Sequence, residues 1–457
     1  MLRANQVAAA KKVLVVGLGV SGRSVCELLL RQGSRVIGTD LRSEAQFGAE
    51  LDGLQRQGCF LRLGSHQQED FLNADQIIVS PGVPLDLAPL QQAARKGVEI
   101  IGELDWAWRQ VREPVVAVTG TNGKTTTTSL IGEVLRRAGK RVFVGGNIGT
   151  PLSQWILSGG EAELLVLEVS SFQLDTAFHF RPEIGVLLNV TEDHLDRYSN
   201  FSAYADSKFS LFARQSGEQV AVVNGDDPIC RRKLSEFPCQ TLIFSRGDAT
   251  AHATIRQDEA WIDIPGRESF SLDLQRTPLK GVHNQENILA SALVGAVLGV
   301  GRSEIQQVID EYKGLPHRME WVSNWRGIDF YDDSKATNVG AVLKALENFD
   351  RSVWLLLGGR DKLGSYRPLA DALKTKGKEA LVFGEAAARI SAELADWIPT
   401  KCFNDLQGAF DEAVTLARPG DTVLLSPACS SFDQYESYAQ RGDHFKRLVH
   451  ELPKEGR

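Results

Sequence analysis

The sequence predicts an α/β protein of three domains: a Rossmann-like N-terminal domain, a central domain with a P-loop ATPase-like parallel sheet, and a Rossmann-like C-terminal domain. Three observations carry this. The chain has 457 residues, too many for a single core, which stops growing at roughly 250–300 residues. Short apolar runs of strand length alternate with amphipathic stretches of helix length from end to end, the pattern of parallel sheets with helical crossovers. Two of the strand-to-helix turns are also rich in glycine, Gly17-Leu18-Gly19-Val20-Ser21-Gly22 and Gly120-Thr121-Asn122-Gly123-Lys124-Thr125-Thr126. No repeat at a solenoid period and no low-complexity tract points to another architecture.

Domains are expected at residues 1–102, 103–314 and 315–457. In the first, strand Val13 to Val16 meets the glycine turn, a helix runs to about Gln32, and the chain returns in strand Arg35 to Asp40. A further strand, Gln76 to Val79, ends at Ser80-Pro81-Gly82. In the second, strand Val115 to Thr119 precedes the Gly-Lys-Thr loop and a helix closed by Gly139. Strands Leu164 to Leu167 and Ile184 to Leu188 follow, then a helix from Phe201 to Arg214. The helix His283 to Val300 closes the unit, and its nearly apolar run, Ile288 to Val300, is too short to span a bilayer, which takes about 20 residues. The third carries strands at Asp329 to Asp332, Val353 to Leu357, Ala380 to Phe383 and Thr422 to Leu425.

Composition excludes several classes. A hydrophobic fraction of 43% with 24% charged residues is that of an ordinary globular chain, so a large core is available. The net charge of −7 gives no general attraction to a phosphate backbone, and no nucleic acid is expected as a partner. A polyanionic substrate must therefore meet local cations. The six cysteines form no CxxC pair, which argues against a zinc site or a disulfide framework and for reduced thiols in a cytosol. Arg3 and Ala8 to Ala10 are not preceded by an apolar stretch, so no leader, no membrane insertion and a cytoplasmic location are expected.

The second glycine turn is the chemical anchor. Between an apolar strand and a helix, backbone N–H groups, the helix dipole and Lys124 can together hold a polyphosphate, with the Thr125 hydroxyl available to magnesium. The spacing departs from GxxxxGK[ST], since Val118 stands where the first glycine would be. An ordinary strand-to-helix turn is the alternative, but a turn has no need of a lysine followed by four threonines. Strand Leu164 to Leu167 delivers Glu168 to the carboxyl edge of the sheet, where a magnesium carboxylate belongs. The next strand places His194 at a similar height, although a lone histidine is more often structural. Lys208 shares a helix face with Phe201, Tyr204 and Leu211. Either its stem packs while the amine reaches water, or burial neutralises the amine and leaves it open to covalent modification. In the first domain Gly17, Gly19 and Gly22 allow close approach of a diphosphate, and Asp40 ends a strand where an acid meets a ribose; taken alone this is equally a nicotinamide fingerprint.

The phosphate loop, the segment Glu168-Val169-Ser170-Ser171-Phe172-Gln173-Leu174, Asn189 to Asp196 and the Lys208 helix together resemble the Mur ligase family, whose members join an amino acid to a UDP-muramoyl carboxylate. Asp333-Ser334-Lys335-Ala336-Thr337-Asn338 and Ser426-Pro427-Ala428-Cys429-Ser430-Ser431-Phe432-Asp433-Gln434-Tyr435 look like its D-glutamate-adding branch. The Asp-Asn-Pro-Arg motif of the diaminopimelate- or lysine-adding branch and the His-His segment of the L-alanine-adding branch are missing.

The resemblance implies an ATP-dependent ligase acting through an acyl phosphate, with UDP-N-acetylmuramoyl-L-alanine and D-glutamate as substrates, ATP and two Mg2+ ions as cofactors, and a monomer. It assigns the UDP end to Gly17, Gly19, Ser21, Gly22, Asp40, Arg42, Ser80 and Gly82. It assigns ATP to Gly120, Thr121, Asn122, Gly123, Lys124, Thr125 and Thr126, with Asn284 and Asn287 at adenine and Arg318 and Asp333 reaching in from the third domain. Asn284 could instead cap its helix. One magnesium falls to Thr125 and Glu168, the other to His194 and a carbamylated Lys208, the carbamate supplying an anionic oxygen that suits a hard cation. Asn147 and Lys335 join Lys124, His194 and Lys208 in the reaction. Lys335 is expected on one strand face with Asp333, and His317 is expected to orient substrate. D-Glutamate falls to Thr337, Lys362, Ser431 and Tyr438. A folylpolyglutamate synthase-like ligase and a nicotinamide-dependent oxidoreductase are the competing readings.

Overall fold

The computed structural model describes residues 11–194, 197–279, 281–350, 352–361 and 364–453. Lys362 and the N-terminal Arg3 and Ala8 to Ala10 lie outside them. Three sheets form, and their central strands are apolar runs buried on both faces, as parallel strands between helical layers are. The first contains β1 (Lys12–Val16), β2 (Arg35–Asp40), β3 (Phe60–Leu63), β4 (Gln76–Val79) and β5 (Glu99–Gly102), all parallel, in the order 3-2-1-4-5. The strand order reverses beside β1, which opens a crevice at its carboxyl end where the first glycine turn sits.

The central sheet has nine strands: β6 (Val115–Thr119), β7 (Val142–Gly146), β8 (Leu164–Glu168), β9 (Ile184–Leu187), β10 (Val220–Asn224), β11 (Gln240–Ser245), β12 (Ala253–Arg256), β13 (Glu259–Ile262) and β14 (Phe270–Asp273). Their order is 14-13-12-11-10-9-6-8-7, with β12 to β14 antiparallel. Since β6 lies between β8 and β9, the phosphate loop, Glu168 and Asn189 leave three adjacent strands at one edge. The helix Lys124–Arg137 follows the loop and ends before Gly139, whose φ of +79° suits glycine at a helix end.

The third sheet comprises β15 (Glu320–Trp325), β16 (Ile328–Asp332), β17 (Val353–Gly358), β18 (Gly377–Phe383), β19 (Thr400–Phe403) and β20 (Thr422–Leu425), ordered 15-16-20-17-18-19. Only β15 runs antiparallel to its neighbour. Asp333, Gly359 and Ser426 therefore lie at the carboxyl ends of adjacent strands.

The apolar cores show how the domains are joined. One cluster runs through the first and central domains, with Leu29, Trp106, Leu152, Trp155 and Leu174 in continuous contact. The residues of the third domain form clusters of their own, around Leu355 and around Leu356. That domain meets the central domain at the start of the helix Val339–Leu346, where Gly340 lies beside Thr191 and Asn122 and Asn338 bonds Asp193.

Two local expectations are corrected. The helix expected from Phe201 to Arg214 is α-helical only over Phe201–Phe209 and tightens to a 3-10 turn at Ser210–Phe212. There the Ser210 hydroxyl donates back to the Ser207 carbonyl at 2.7 Å, a competitor for the regular ladder. The helix expected at His283 starts at Val282 behind Gly281, whose φ is +90°, and has no side-chain cap. Asn284 lies inside its first turn and does not cap it.

Candidate active site

The phosphate loop is braced from below by the loop after β9. Thr121 N–H donates to the Asn189 carbonyl at 2.9 Å, Asn122 N–H to Asn189 Oδ1 at 2.8 Å, and Asn189 Nδ2 back to the Asn122 carbonyl at 3.0 Å. Lys124 folds over the loop and donates to the carbonyls of Gly120 and Thr121 at 2.7 and 2.8 Å. Gly123 has φ of +88°, and a Cβ there would lie 2.5 Å from Asn287 Oδ1, so only glycine fits. Asn287 itself accepts from Thr127 Oγ1 at 3.1 Å and donates to Asn284 Oδ1 at 3.3 Å. The two asparagines expected at adenine thus form a buried pair that holds the loop against the helix, with Asn287 also on the wall of the cleft.

Glu168 leaves β8 beside this loop with only 2% exposure. Asn147 donates its side-chain N–H to Oε1 at 2.8 Å and its backbone N–H to the Glu168 carbonyl at 2.8 Å. Glu168 Oε2 is buried without a hydrogen-bond partner among the described residues, a situation that costs about 1–3 kcal/mol or more for a charged oxygen. Thr125, also buried, stands in the first turn of the adjoining helix. A hard cation is the group these donors fit.

Lys208 is 1% exposed, so its amine does not reach water. It donates to the Gly120 carbonyl at 2.9 Å and lies 4.6 Å over the Tyr204 ring. Burial, followed by the charge of Lys124, pushes it well below the ordinary lysine range against the pull of Asp193, Asp175 and Glu168. His194 packs edge-on to Phe172, with ring centroids 4.7 Å apart, and has a backbone φ of +55°. Such a conformation is costly for a residue with a Cβ and must be held by its surroundings. Its Nε2 lies 3.7 Å from Asp193.

The third domain supplies the opposite wall. A cleft of about 250 Å³ is lined by Asn122 and Gly123 on one side and by Arg318, Asp333, Lys335 and Lys344 on the other. Asp333 Oδ2 accepts from the Ser426 hydroxyl at 2.8 Å. Burial raises Asp333 to about 7 although Ser426, Arg318 and the Met319 N–H oppose it, and burial lowers Lys335 to about 8. Asn338 Nδ2 crosses the gap to Asp193 Oδ2 at 3.0 Å. A second cavity, of about 220 Å³ and mostly apolar, opens beside it between His194 and the segment from Gly364 to Pro368.

Asp333 and Lys335 are not on one strand face. β16 stops at Asp332, whose Oδ1 accepts the Ser334 N–H at 2.9 Å and turns the chain; Lys335 N–H then bonds the His317 carbonyl at 3.0 Å. Both side chains still line the cleft. His317, with φ of +62°, is held by Asp332 at 2.7 Å. Among the residues expected to take D-glutamate, Thr337 follows this turn and Ser431 is 2% exposed on the loop after β20. Tyr438 Oη lies 3.4 Å from Lys335 Nζ.

At the far end, the first and third glycines of the N-terminal turn serve packing. Gly17 has φ of +88° beside Ser80, and a Cβ on Gly22 would strike the Gly17 carbonyl. Around Gly19 there is open space, which leaves the backbone accessible. Ser80 donates to the Gly17 carbonyl at 2.8 Å, and Ser21 receives the Ser153 hydroxyl at 3.4 Å. Asp40 accepts from the Leu18 N–H at 2.8 Å and from two guanidinium nitrogens of Arg42 at 3.0 and 2.8 Å. Its burial is outweighed by these bonds and its value falls to about 2. Asp40 thus fixes the turn and aims Arg42, which stacks 4.0 Å over Phe47. The Gly82 carbonyl receives Arg197 of the central domain at 3.3 Å.

This arrangement has relatives. Residues 11–102 match the Mur ligase MurD-like N-terminal domain, 118–295 the Mur ligase middle domain and 317–429 the Mur ligase glutamate ligase domain. UDP-N-acetylmuramoylalanine–D-glutamate ligase of Desulfosudis oleivorans is 44% identical over 98% of this chain and 97% of its own. The protein of that name from Koribacter versatilis is 42% identical over 97% and 98%. The chain belongs to the Mur ligase family. Solved structures agree in fold: UDP-N-acetylmuramate-alanine ligase MurC of Thermotoga maritima superposes with a TM-score of 0.60 at 19% identity, covering 96% of this chain and 99% of that one. MurF ligase of the same organism, in complex with ADP, also gives 0.60 at 20% identity, over 92% and 96%.

One residue of this Mur ligase that sequence reasoning passed over is Arg441. It is fully buried and donates to the carbonyls of Ser334, Gly358, Cys429 and Ser430 and to the Ser334 hydroxyl, at 2.9–3.4 Å. A single guanidinium thereby joins three strand-end loops. Its signal was masked because arginine in an amphipathic helix normally faces water.

Proposed function

We propose that this Mur ligase is the ATP-dependent enzyme that joins D-glutamate to the carboxylate of UDP-N-acetylmuramoyl-L-alanine in peptidoglycan precursor synthesis. The observation that carries the reading is the buried Glu168 oxygen, without a hydrogen-bond partner among the described residues, beside a lysine-bearing phosphate loop, with the buried amine of Lys208 at the same loop. Residues 1–102 bind the UDP end of the acceptor, 103–314 bind ATP, and 315–457 bring the amino acid. The enzyme works in the cytoplasm as a monomer; among the described residues no helix is long and apolar enough to cross a membrane.

A carboxylate resists attack by an amine because its oxygen is a poor leaving group. Transfer of the γ-phosphoryl group of ATP makes an acyl phosphate and ADP; the D-glutamate amine then displaces phosphate and forms the amide. Lys124 of the phosphate loop and Lys335 of the third domain offset the charge of the transferring group, where catalysis of such reactions largely resides. Thr125 and Glu168 would hold one magnesium, His194 and a carbamylated Lys208 a second. Bound there, such ions would offset the negative charge of phosphate and carboxylate oxygens. Asn147 keeps Glu168 oriented, and Arg318 and Asp333 close over the nucleotide. Thr337, Ser431, Lys362 and Tyr438 receive D-glutamate. A folylpolyglutamate synthase would leave residues 1–102 without a task, and an oxidoreductase would leave the Glu168 and Lys208 cluster without one.

The reading is tested by mixing the protein with ATP, the UDP-sugar and a panel of amino acids while following phosphate release. Release only with D-glutamate supports it; release with another amino acid and none with D-glutamate refutes it.

A further inference from the structure

We infer that Tyr366 is a positioning residue for D-glutamate, acting through Cys429 on the loop that carries Ser431. The inference rests on the reading that the Thr337 and Ser431 loops take that substrate.

Tyr366 is 3% exposed and its hydroxyl is the meeting point of two strand-end segments. It donates to Asp361 Oδ1 at 3.0 Å, and Cys429 Sγ lies 3.0 Å from the Tyr366 hydroxyl oxygen. With its proton committed to the carboxylate, the oxygen is the acceptor for the thiol proton. Cys429 is fully buried, and burial raises its value to about 11, so the thiol keeps that proton. One residue further on, the Ser430 carbonyl receives the Arg360 N–H at 2.8 Å, and Ser431 follows. The contact therefore lies beside the point at which the two segments are already joined through their backbones.

The other side of Tyr366 is clamped by the helix Ala387–Leu394. Arg389 pairs with Asp361 Oδ2 and donates to the Gly364 carbonyl at 2.6 Å. Glu393 Oε2 accepts the Tyr366 N–H at 2.7 Å and the Ser365 hydroxyl at 3.0 Å. Glu393 also pairs with Arg389 at 3.2 Å. A chain of contacts thus runs from this helix through Arg389, Asp361 and Tyr366 to Cys429. Its free face is the apolar cavity opposite His194, whose wall includes Tyr366 and Ala428. A phenol is suited to this task because its ring fills the core while its oxygen serves as donor and acceptor together.

Loss of the hydroxyl should leave the phosphoryl-transfer groups where they are and let the Ser431 loop drift. For Tyr366→Phe we expect KM for D-glutamate to rise about five- to tenfold, with kcat within about twofold and KM for ATP unchanged. Cys429→Ala, which removes only the contact shared with Tyr366, should raise KM for D-glutamate by as much or less, and the double variant should be no worse than Tyr366→Phe, because that substitution already removes the shared contact. Cys429→Ser, which keeps a hydroxyl in place of the thiol, should stay near wild type and supplies the test should Tyr366→Phe fail to fold. A folded Tyr366→Phe or Cys429→Ala enzyme with wild-type KM for D-glutamate would overturn the inference. So would strictly additive effects, or KM for all three substrates rising together. Wild-type protein that fails to use D-glutamate at all refutes the underlying reading instead.

Discussion

Asn147 and Glu168 are tied twice, side chain to side chain and backbone to backbone, each at 2.8 Å. One carboxylate oxygen is thereby fixed and the other, Oε2, is buried without a hydrogen-bond partner among the described residues. Glu168→Gln keeps the bond to Asn147 by an amide flip but removes the anion. We expect kcat/KM to fall at least a hundredfold, and magnesium titration of the remaining activity to shift to higher concentration. An unchanged magnesium dependence would assign Glu168 to packing.

Lys208 offers the sharpest test of the second metal position. Lys208→Ala should fold, since the residue donates one bond to the Gly120 carbonyl, and should lose most turnover. Acetate, a small carboxylate able to stand in for the carbamate, should restore part of it. Near-normal turnover of Lys208→Ala in carbon-dioxide-depleted buffer would refute the modification.

Much of this site was legible in the sequence because its chemistry sits at strand ends, and strand ends are read from apolar periodicity. Lys124, Glu168 and His194 were placed in that way. Lys208 was left between two readings, and its 1% exposure decides against a snorkelling amine. What was not legible depends on tertiary contacts. The pairing of Asp333 with Lys335 by strand alternation failed because Asp332 bonds the Ser334 N–H and ends the strand. Capping, the alternative to an adenine contact for Asn284, failed because its helix begins two residues earlier behind a glycine. Arg441 and Tyr366 carry no motif, and only burial reveals them.

Domain closure can be separated from helix stability at Asn338. Its Oδ1 accepts the Ala341 N–H at 2.8 Å and caps the helix Val339–Leu346, while its Nδ2 reaches Asp193 across the cleft. Asn338→Ser retains the cap, since serine serves that position equally well, but is too short for the bridge. We expect Tm within about 2 °C of wild type, a threefold to tenfold rise in KM for ATP, and weaker compaction in small-angle scattering with ATP and the UDP-sugar. Wild-type compaction in this variant would show that the bridge does not report closure.

Acid should loosen the N-terminal turn through Asp40. Its folded value of about 2 lies below the unfolded value of about 3.9, so its contribution is complete above that value. It is lost as pH falls from about 4 through 2. Discounted for partial solvent access, the contribution is on the order of 1–2 kcal/mol. Asp40→Asn should therefore lower Tm at pH 7 and make no difference near pH 2. It should also weaken UDP-sugar binding, measured by calorimetry, because Arg42 loses its anchor. Equal Tm for the two proteins at pH 7 would contradict this role.

The central claim is that one stereoisomer of one amino acid is joined to the UDP-muramoyl carboxylate. Mass spectrometry of the product formed from ATP, UDP-N-acetylmuramoyl-L-alanine and either D- or L-glutamate tests it directly. The account predicts a UDP-sugar heavier by one glutamyl residue, with one ADP formed for each, from D-glutamate alone. The same product in equal yield from L-glutamate, or ADP formed without any such product, would contradict it.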